Sequence, residues 1–463
     1  MAEKTFEEVQ THLITSGFVY PGSEIYGGLS NSWDYGPLGT LLKNHLKDLW
    51  LKHFVRGIEY NVQIDPAIIR NPKVWVATGH VANFHDPLVD CKYCHSRYRA
   101  DQIIHEQKPD LDVDGRSQDE LNKIRQSGEI KCPNCGKNEF TPIRQFQRRF
   151  KTFIGVTEDK QSEVYLRPET AQGIFVNFKN VRRTTRRKLP IGICDIGKSF
   201  RNEITPGNFT FRTREFEQRE IEFFFKPGED DKWFNFYKEN CKAFVEKLGL
   251  KDEKVRFRNH EPQELAFYSK ATTDIEYDFP TLGWGELRGI ACRGDYDLGR
   301  HRKASTQDLT YLDPETNQRY IPHVVEPSFG LDRLRLALLR DSYEVEELDG
   351  GKDSRIVRHL ARSLAPYTFA VRPLSNKLIA PAKELFDSLR YDFDCLFDTT
   401  GSIGKRYRRE DAIGTPLCIT YDFDSVNDHA VTVRERDSRK QERVPVASLK
   451  QYIRNFLDQE NVR

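Results

Sequence analysis

A chain of 463 residues exceeds one ordinary domain, and a hydrophobic share of 38% with 12% aromatic residues can fill more than one core. With 31% charged residues, a mean hydropathy of −0.68 and no apolar run near the roughly 20 residues of a membrane span, neither an integral membrane protein nor a disordered chain is expected. The net charge of +2, from 72 basic and 70 acidic residues, leaves a nucleic-acid partner to be decided by local clusters.

The N-terminal Met1-Ala-Glu-Lys-Thr-Phe-Glu-Glu has neither a basic nor an apolar leader region, so secretion is not expected. Nine cysteines in so long a chain then read as thiols of a reducing compartment such as the cytoplasm. Residues 38–54 place Leu38, Leu41, Leu42, Leu46, Leu49, Trp50 and Phe54 at helical spacing, which predicts an amphipathic helix. From about 91 to 150 the texture turns to short turns, cysteine pairs and charge, with 111–130 a loop or a weak solvated helix. Strands are predicted at 191–196, 209–211 and 221–225, and helices over 230–248 and 331–340. The acidic stretch 341–355, containing Gly350-Gly351, reads as a linker. Residues 366–463 then show their own pattern, with strands at 368–371, 417–421 and 431–433 and a closing helix at 449–457.

Cys91-Lys-Tyr-Cys94 and Cys132-Pro-Asn-Cys135 are two C-x2-C pairs separated by 37 residues. Each pair can present two thiolates from one tight turn, and two turns complete a tetrahedral S4 set suited to Zn²⁺. The alternatives are two unrelated turns or a redox pair, although the βαβ context of a redox motif is absent. Cys194, Cys241, Cys292, Cys395 and Cys418 stand singly in apolar surroundings and read as core.

Gly192-Ile-Cys-Asp-Ile-Gly197-Lys198-Ser199 matches the phosphate-loop string, but its intervening residues are β-prone and no helix pattern follows. The segment is expected to be a strand. Three basic clusters, Arg182 to Lys188, Arg144 to Lys151 and Lys405 to Arg409, read individually as solvated surface.

Chemistry concentrates after residue 200. Arg201 and Glu203 lie two apart, while Arg212, Phe216 and Glu220 are spaced by four, so an antiparallel pair would bring them onto one surface. Arginines for phosphates, an aromatic ring for a base and a carboxylate for an amino group suit a bent nucleoside triphosphate. Gly330 and Arg333 open an apolar helix where an anion could be met twice.

These pieces resemble the second and third motifs of class II aminoacyl-tRNA synthetases, with Ser328 where many members have Gly. Residues 38–54 with Pro66 loosely resemble the first motif. The segment GFVYPGSEIYGGLSNSWDYGPLG (17–39), Arg167-Pro-Glu169-Thr170, Glu286 to Arg293, Asp295 to His301, Glu326 to Gly330 and GSIGKRYRREDAIGTP (401–416) are similar to the glycyl-tRNA synthetases of the homodimeric type.

That resemblance implies an α+β fold. It comprises a class II synthetase-like antiparallel sheet flanked by helices, a Cys-knuckle insertion and a C-terminal α/β anticodon-binding domain. It divides the chain into a catalytic core at 1–90 and 151–345, the insertion at 91–150, a linker at 346–365 and the anticodon-binding domain at 366–463. It implies ATP with Mg²⁺, glycine, tRNA(Gly), a homodimer and no membrane. Arg201 and Arg333 would be catalytic. ATP would be met by Arg201, Asn202, Glu203, Phe211, Arg212, Thr213, Arg214, Glu215, Phe216, Glu286, Leu287, Gly330, Leu331, Asp332 and Arg333. Glycine would be met by Arg99, Glu169, Phe216, Glu217, Gln218, Arg219, Glu220, Arg293, Glu326, Ser328 and Gly330, and a metal by Cys91, Cys94, Cys132 and Cys135. Tyr407, Arg408 and Arg409 could touch the anticodon arm. Two rivals are a non-catalytic synthetase-like nucleic-acid-binding paralogue, which need not keep these arginines, and a class II synthetase for serine or threonine.

Overall fold

The computed structural model describes residues 5–459 except 110, 112, 114, 115, 267, 281 and 352. Residues 1–4 of the segment read above as leaderless, and 112, 114 and 115 of the expected loop, therefore lie outside the described residues. Helix α1 (Phe6–Thr15) is opened by a Thr5/Glu8 capping box. Helix α2 (Pro37–Trp50) starts with proline, whose missing N–H costs nothing in the first turn, and buries Leu38, Leu42, Leu46 and Trp50. It widens into a π-turn over Leu51–Arg56, carrying Phe54 into the same core, before strand β1 (Asn61–Gln63).

The segment expected as an insertion (91–150), together with β2 (His85–Asp90) just before it, holds β3 (Arg97–Arg99), α3 (Ala100–Gln107), α4 (Gln118–Gln126) and β4 (Arg144–Gln147). Its strands pair antiparallel in the order β3-β2-β4. The polar stretch 118–126 does form a helix, stabilised by a Ser117/Glu120 capping box.

The core continues with α5 (Ala171–Thr185), β5 (Ile191–Phe200), β6 (Glu215–Phe225), α6 (Asp230–Lys247), β7 (Val255–Asn259), β8 (Ala271–Phe279), β9 (Gly283–Gly294), α7 (Tyr296–Ser305), β10 (His323–Gly330) and α8 (Leu331–Asp341). A seven-stranded sheet runs β7-β8-β9-β10-β6-β5-β1, antiparallel except where β1 pairs parallel to β5. Alternation along β6 sorts the two faces. Ile221, Phe223 and Phe225 point into the main core with α2, α6 and α8, whereas Phe224 packs against Phe175 and Phe178 of α5. Towards its start, that second face is left uncovered by α5 and becomes a cleft.

Two expectations are corrected. Phe209–Phe211 is a 3-10 turn, because Asn208 and Phe209 adopt positive φ inside a loop closed by paired hydrogen bonds between Gly207 and Arg212. The expected linker is ordered as an antiparallel hairpin of β11 (Tyr343–Leu348) and β12 (Asp353–Arg358). The C-terminal unit carries β13 (Phe369–Pro373), α9 (Ile379–Leu389), β14 (Cys395–Phe397), α10 (Ile403–Ile413), β15 (Leu417–Tyr421), β16 (Ala430–Glu435), β17 (Gln441–Pro445) and α11 (Leu449–Asp458). Its sheet order is β14-β13-β15-β16-β17, with β13 parallel to both neighbours. Among the described residues no helix is long and apolar enough to cross a membrane.

Candidate active site

The cleft on the second face of the large sheet encloses about 350 Å³. Gly289 and Ala291 of β9 give it a low floor, and even-numbered residues of β6 (Phe216, Gln218, Glu220) and β10 (Glu326, Ser328, Gly330) rise beside them. Glu169, Arg201, Glu203, Phe211, Arg212, Thr213, Glu286, Leu287, Asp332 and Arg333 complete the expected residues that line it.

The open end is cationic. Arg201 donates from Nε to the Pro168 carbonyl at 3.0 Å and lies 5.2 Å over the Phe216 ring. Arg333 donates to the carbonyls of Phe211 (3.1 Å) and Glu286 (3.0 Å), stacks 4.5 Å over Phe211 and pairs with the Glu286 carboxylate at 3.2 Å. Arg212 reaches Gln102 of α3 at 3.5 Å. Glu203 accepts from Arg148 Nη2 at 2.7 Å; burial raises its carboxyl, yet Arg148 more than offsets this and holds it below the usual range.

The closed end is a crowd of buried carboxyls. Glu220 accepts hydrogen bonds from Thr170, from Ser328 (3.0 Å) and from Gln218 (3.0 Å). Burial and the neighbouring Glu169 charge push its carboxyl up. Glu326 accepts from Arg293 Nη1 at 2.5 Å, but burial together with Glu220 and Glu169 still pushes it up to about 8. Burial also raises Glu169, which is nonetheless held well below its ordinary value by His80, 3.3 Å away, and by Arg293. The charges of Glu220 and Glu326 thus stay under-neutralised, and an added ammonium would relieve both.

Other expected residues lie elsewhere. Arg219 points to the helical face, donating to the Leu46 carbonyl at 2.9 Å, and Glu217 on the same face pairs with Lys43. Leu331 is buried in the main core, and Glu215 pairs with Lys198 at the surface. Asn202 donates its backbone N–H to the Arg148 carbonyl at 2.7 Å, and Arg214 donates to the Glu203 carbonyl at 3.3 Å. Arg293 does not line the cleft. It is fixed by Asp297 (2.7 and 3.0 Å) and Glu326 and stacks 3.9 Å over Tyr268. Arg99 is held by Asp101 (2.5 Å) and Asp86 (3.8 Å). The hydroxyls of Tyr407 and Thr420 share a hydrogen bond at 2.6 Å, while Arg408 and Arg409 pair with Asp353 and Asp398.

His80, Tyr268, Asp274 and His260 belong to the site although nothing in the sequence pattern singles them out. Asp297 lies inside the Asp295 to His301 motif, and its part in fixing Arg293 emerges only from the fold. His260 and Asp274 meet at 2.7 Å, and burial and Glu286 push the Asp274 carboxyl up to about 6. None of these has a spacing signal; they come from separate loops and strands that only the fold unites.

In the insertion, the Sγ atoms of Cys91, Cys94, Cys132 and Cys135 all lie within 4.8 Å of one another, with Cys91–Cys135 and Cys94–Cys132 at 3.5 Å. Zn–S bonds of about 2.3 Å in a tetrahedron require sulfur edges of about 3.8 Å, so the set fits Zn²⁺.

The family model "tRNA synthetase class II core domain (G, H, P, S and T)" matches residues 150–343, and "Anticodon binding domain" matches 368–456. A "Glycine--tRNA ligase" of Bacillus cereus is 58% identical over 441 residues, 94% of this chain and 96% of that protein. One of Clostridium kluyveri is 57% identical over 460 residues, 98% and 99% of the two chains. Another, of Clostridium perfringens, is 56% identical over 464 residues, 98% of this chain and 99% of that protein.

Proposed function

We propose that this chain, which belongs to the class II tRNA synthetases, is a glycine–tRNA ligase that makes glycyl-adenylate and passes the glycyl group to the 3′ end of tRNA(Gly). The observation that carries the reading is the polarity of the cleft, with arginines at its open end and buried carboxyls at its closed end. Arg201 would hold the α-phosphate, Arg212 and Arg333 the outer phosphates, and Phe216 and Glu203 the adenine. Glu169, Glu220, Glu326 and Ser328 would receive the ammonium. Arg293 acts through Glu326, to which it is already bonded. Arg99, held beside the Gln102 that contacts Arg212, belongs to the phosphate side in this reading.

Glycine's carboxylate oxygen attacks the α-phosphorus, forming the acyl–phosphate bond while the bond to pyrophosphate breaks. A terminal ribose hydroxyl of tRNA then attacks the acyl carbon, the bond to AMP breaks, and the hydroxyl proton leaves with the departing phosphate oxygen. Both steps need alignment and charge neutralisation more than proton transfer, so no general base is assigned. ATP enters with Mg²⁺. Asp274 Oδ1 and Glu286 Oε1 would each lie 3.5 Å from a Cβ at Gly289, and such paired carboxylate oxygens fit a hard cation. Selection of glycine over alanine requires walls that cannot give way, since an extra methyl must clash rather than merely fill space.

The four thiolates would hold a structural Zn²⁺. A cytoplasmic homodimer completes the proposal: the nine free cysteines suit a reducing compartment, and Ile25 and Tyr26, each 87% exposed, beside Leu29 at 67%, suit a subunit interface. ATP–pyrophosphate exchange with glycine, alanine and serine tests the function. Exchange with glycine alone is expected, and no exchange with any of them would overturn the reading.

A further inference from the structure

The insertion is joined to the open end of the cleft by one ladder. Strands β2 and β4 leave the two cysteine turns side by side. At the cysteine end, Cys91 bridges to Phe140 and Thr141 N–H donates to the Asp90 carbonyl at 2.9 Å. At the other end, His85 pairs with Gln147, and Arg148 N–H donates to the Phe84 carbonyl at 3.3 Å. Arg148, the residue after β4, grips the loop after β5 twice. Its carbonyl accepts from Asn202 N–H at 2.7 Å, and its Nη2 donates to Glu203 at 2.7 Å. Its guanidinium lies 4.8 Å over Phe84 with Nε 3.3 Å from Asp86, and Arg201 rests 5.6 Å over that same ring.

We propose that Arg148 is a positioning residue for the ATP-binding loop 201–203, and that the four-cysteine site is the staple holding the β2–β4 ladder that carries it. The physical reason is size. The insertion's own core is one small cluster around Ile103, Ile104, Leu121 and Phe140, and a module of this scale commonly needs a metal to stay folded. Slack at the cysteine end is transmitted along two hydrogen-bonded strands to Phe84 and Arg148. There it frees Glu203 and Arg201, while Glu220 and Glu326 are carried by β6 and β10 of the large sheet rather than by this ladder.

The proposal rests on the assignment of residues 201–216 to ATP, and its test separates the two. Arg148→Ala, Arg148→Lys and Asp86→Asn are compared with the wild type by calorimetric ATP binding and by exchange kinetics, alongside metal content by elemental analysis. Arg148→Ala should weaken ATP binding and raise KM for ATP about tenfold, with KM for glycine within about threefold and Zn²⁺ retained. Arg148→Lys and Asp86→Asn should fall between. Wild type stripped with a chelator and retaining its far-ultraviolet circular dichroism should show the same ATP-selective loss, reversed by added Zn²⁺. Equal loss of ATP and glycine in Arg148→Ala, or unchanged ATP binding in it, overturns the positioning role. Unchanged ATP binding after metal removal, or wild type that carries no metal, overturns the staple. Wild type that binds ATP but exchanges with no amino acid would instead overturn the function proposed above.

Discussion

Glu220 sits at the centre of the closed end, accepting from Thr170, Gln218 and Ser328 with no ion-pair partner among the described residues. Its charge is therefore available to a ligand ammonium. Glu220→Gln should lower kcat/KM for glycine in exchange by a factor corresponding to about 2–5 kcal/mol, the cost of removing one partner from a buried charge pair; near-normal kinetics would take Glu220 out of the site. The same crowding fixes how stability responds to pH. Burial raises the carboxyls of Asp195 to about 7 and Glu326 to about 8, above their unfolded values, so the native chain binds more protons than the unfolded chain as these groups titrate. Their contribution is present at low pH and is lost as pH rises through the folded values. The Tm of ligand-free protein should fall between about pH 6 and about pH 8.5, and glycine should restore more of it at the upper end. A flat Tm across that window would contradict the crowding. Residues on a strand with period-two spacing were legible in the sequence, hence Phe216 and Glu220 on one wall. Arg219 and Glu217 fall to the opposite face by that same rule, while His80 and Tyr268 arrive from loops and carry no periodic trace.

Strand β5 shows what a misleading motif is for. Gly192 and Gly197 complete a phosphate-loop string, but both lie within an extended strand and serve close approach. A Cβ at Gly192 would stand 1.9 Å from Asn61 Oδ1, and one at Gly197 would stand 1.9 Å from Arg167 Nη2. Arg167 in turn donates to the Lys198 carbonyl (2.7 Å), to Pro66 (3.1 Å) and to Asp195 (3.1 Å), tying β5 to the segment after β1. Gly197→Ala should cost about 1–3 kcal/mol by displacing this guanidinium, read by denaturant unfolding; a neutral result would mean that Arg167 can move aside without loss. The long helices and the central strands were legible because their apolar spacing runs over many residues. The hairpin of β11 and β12 was not, since Gly350-Gly351 with positive φ at both positions serves a tight turn as readily as a tether. Val345 opposite Ile356 is the alternation that distinguishes the two.

Across the whole molecule, that hairpin is the splice between the catalytic sheet and the C-terminal unit. Arg355 of β12 pairs with Asp411 of α10 at 2.7 Å, and Asp411 is also gripped by Arg434 of β16 at 2.8 and 3.0 Å. Arg358 reaches back to the Leu339 carbonyl of α8, and Arg436 donates to the Leu360 carbonyl at 2.9 Å. All four arginines are buried, and Asp411 is the carboxylate that Arg355 and Arg434 share, so its removal weakens the pairing of two interior charges at once. Asp411→Ala should cost about 3–5 kcal/mol and separate the unfolding of the C-terminal unit from that of the core, seen as a second transition by calorimetry; a single unshifted transition would show that the splice does not depend on this carboxylate. A joint made of paired strands and interior ion pairs has little freedom to bend. If one end of an RNA is held by the C-terminal unit, the interval to the cleft is set by the protein rather than by the RNA. Discrimination then acquires a yardstick: a substrate whose arm is a base pair too short could satisfy every contact at its far end and still present its terminal hydroxyl out of reach.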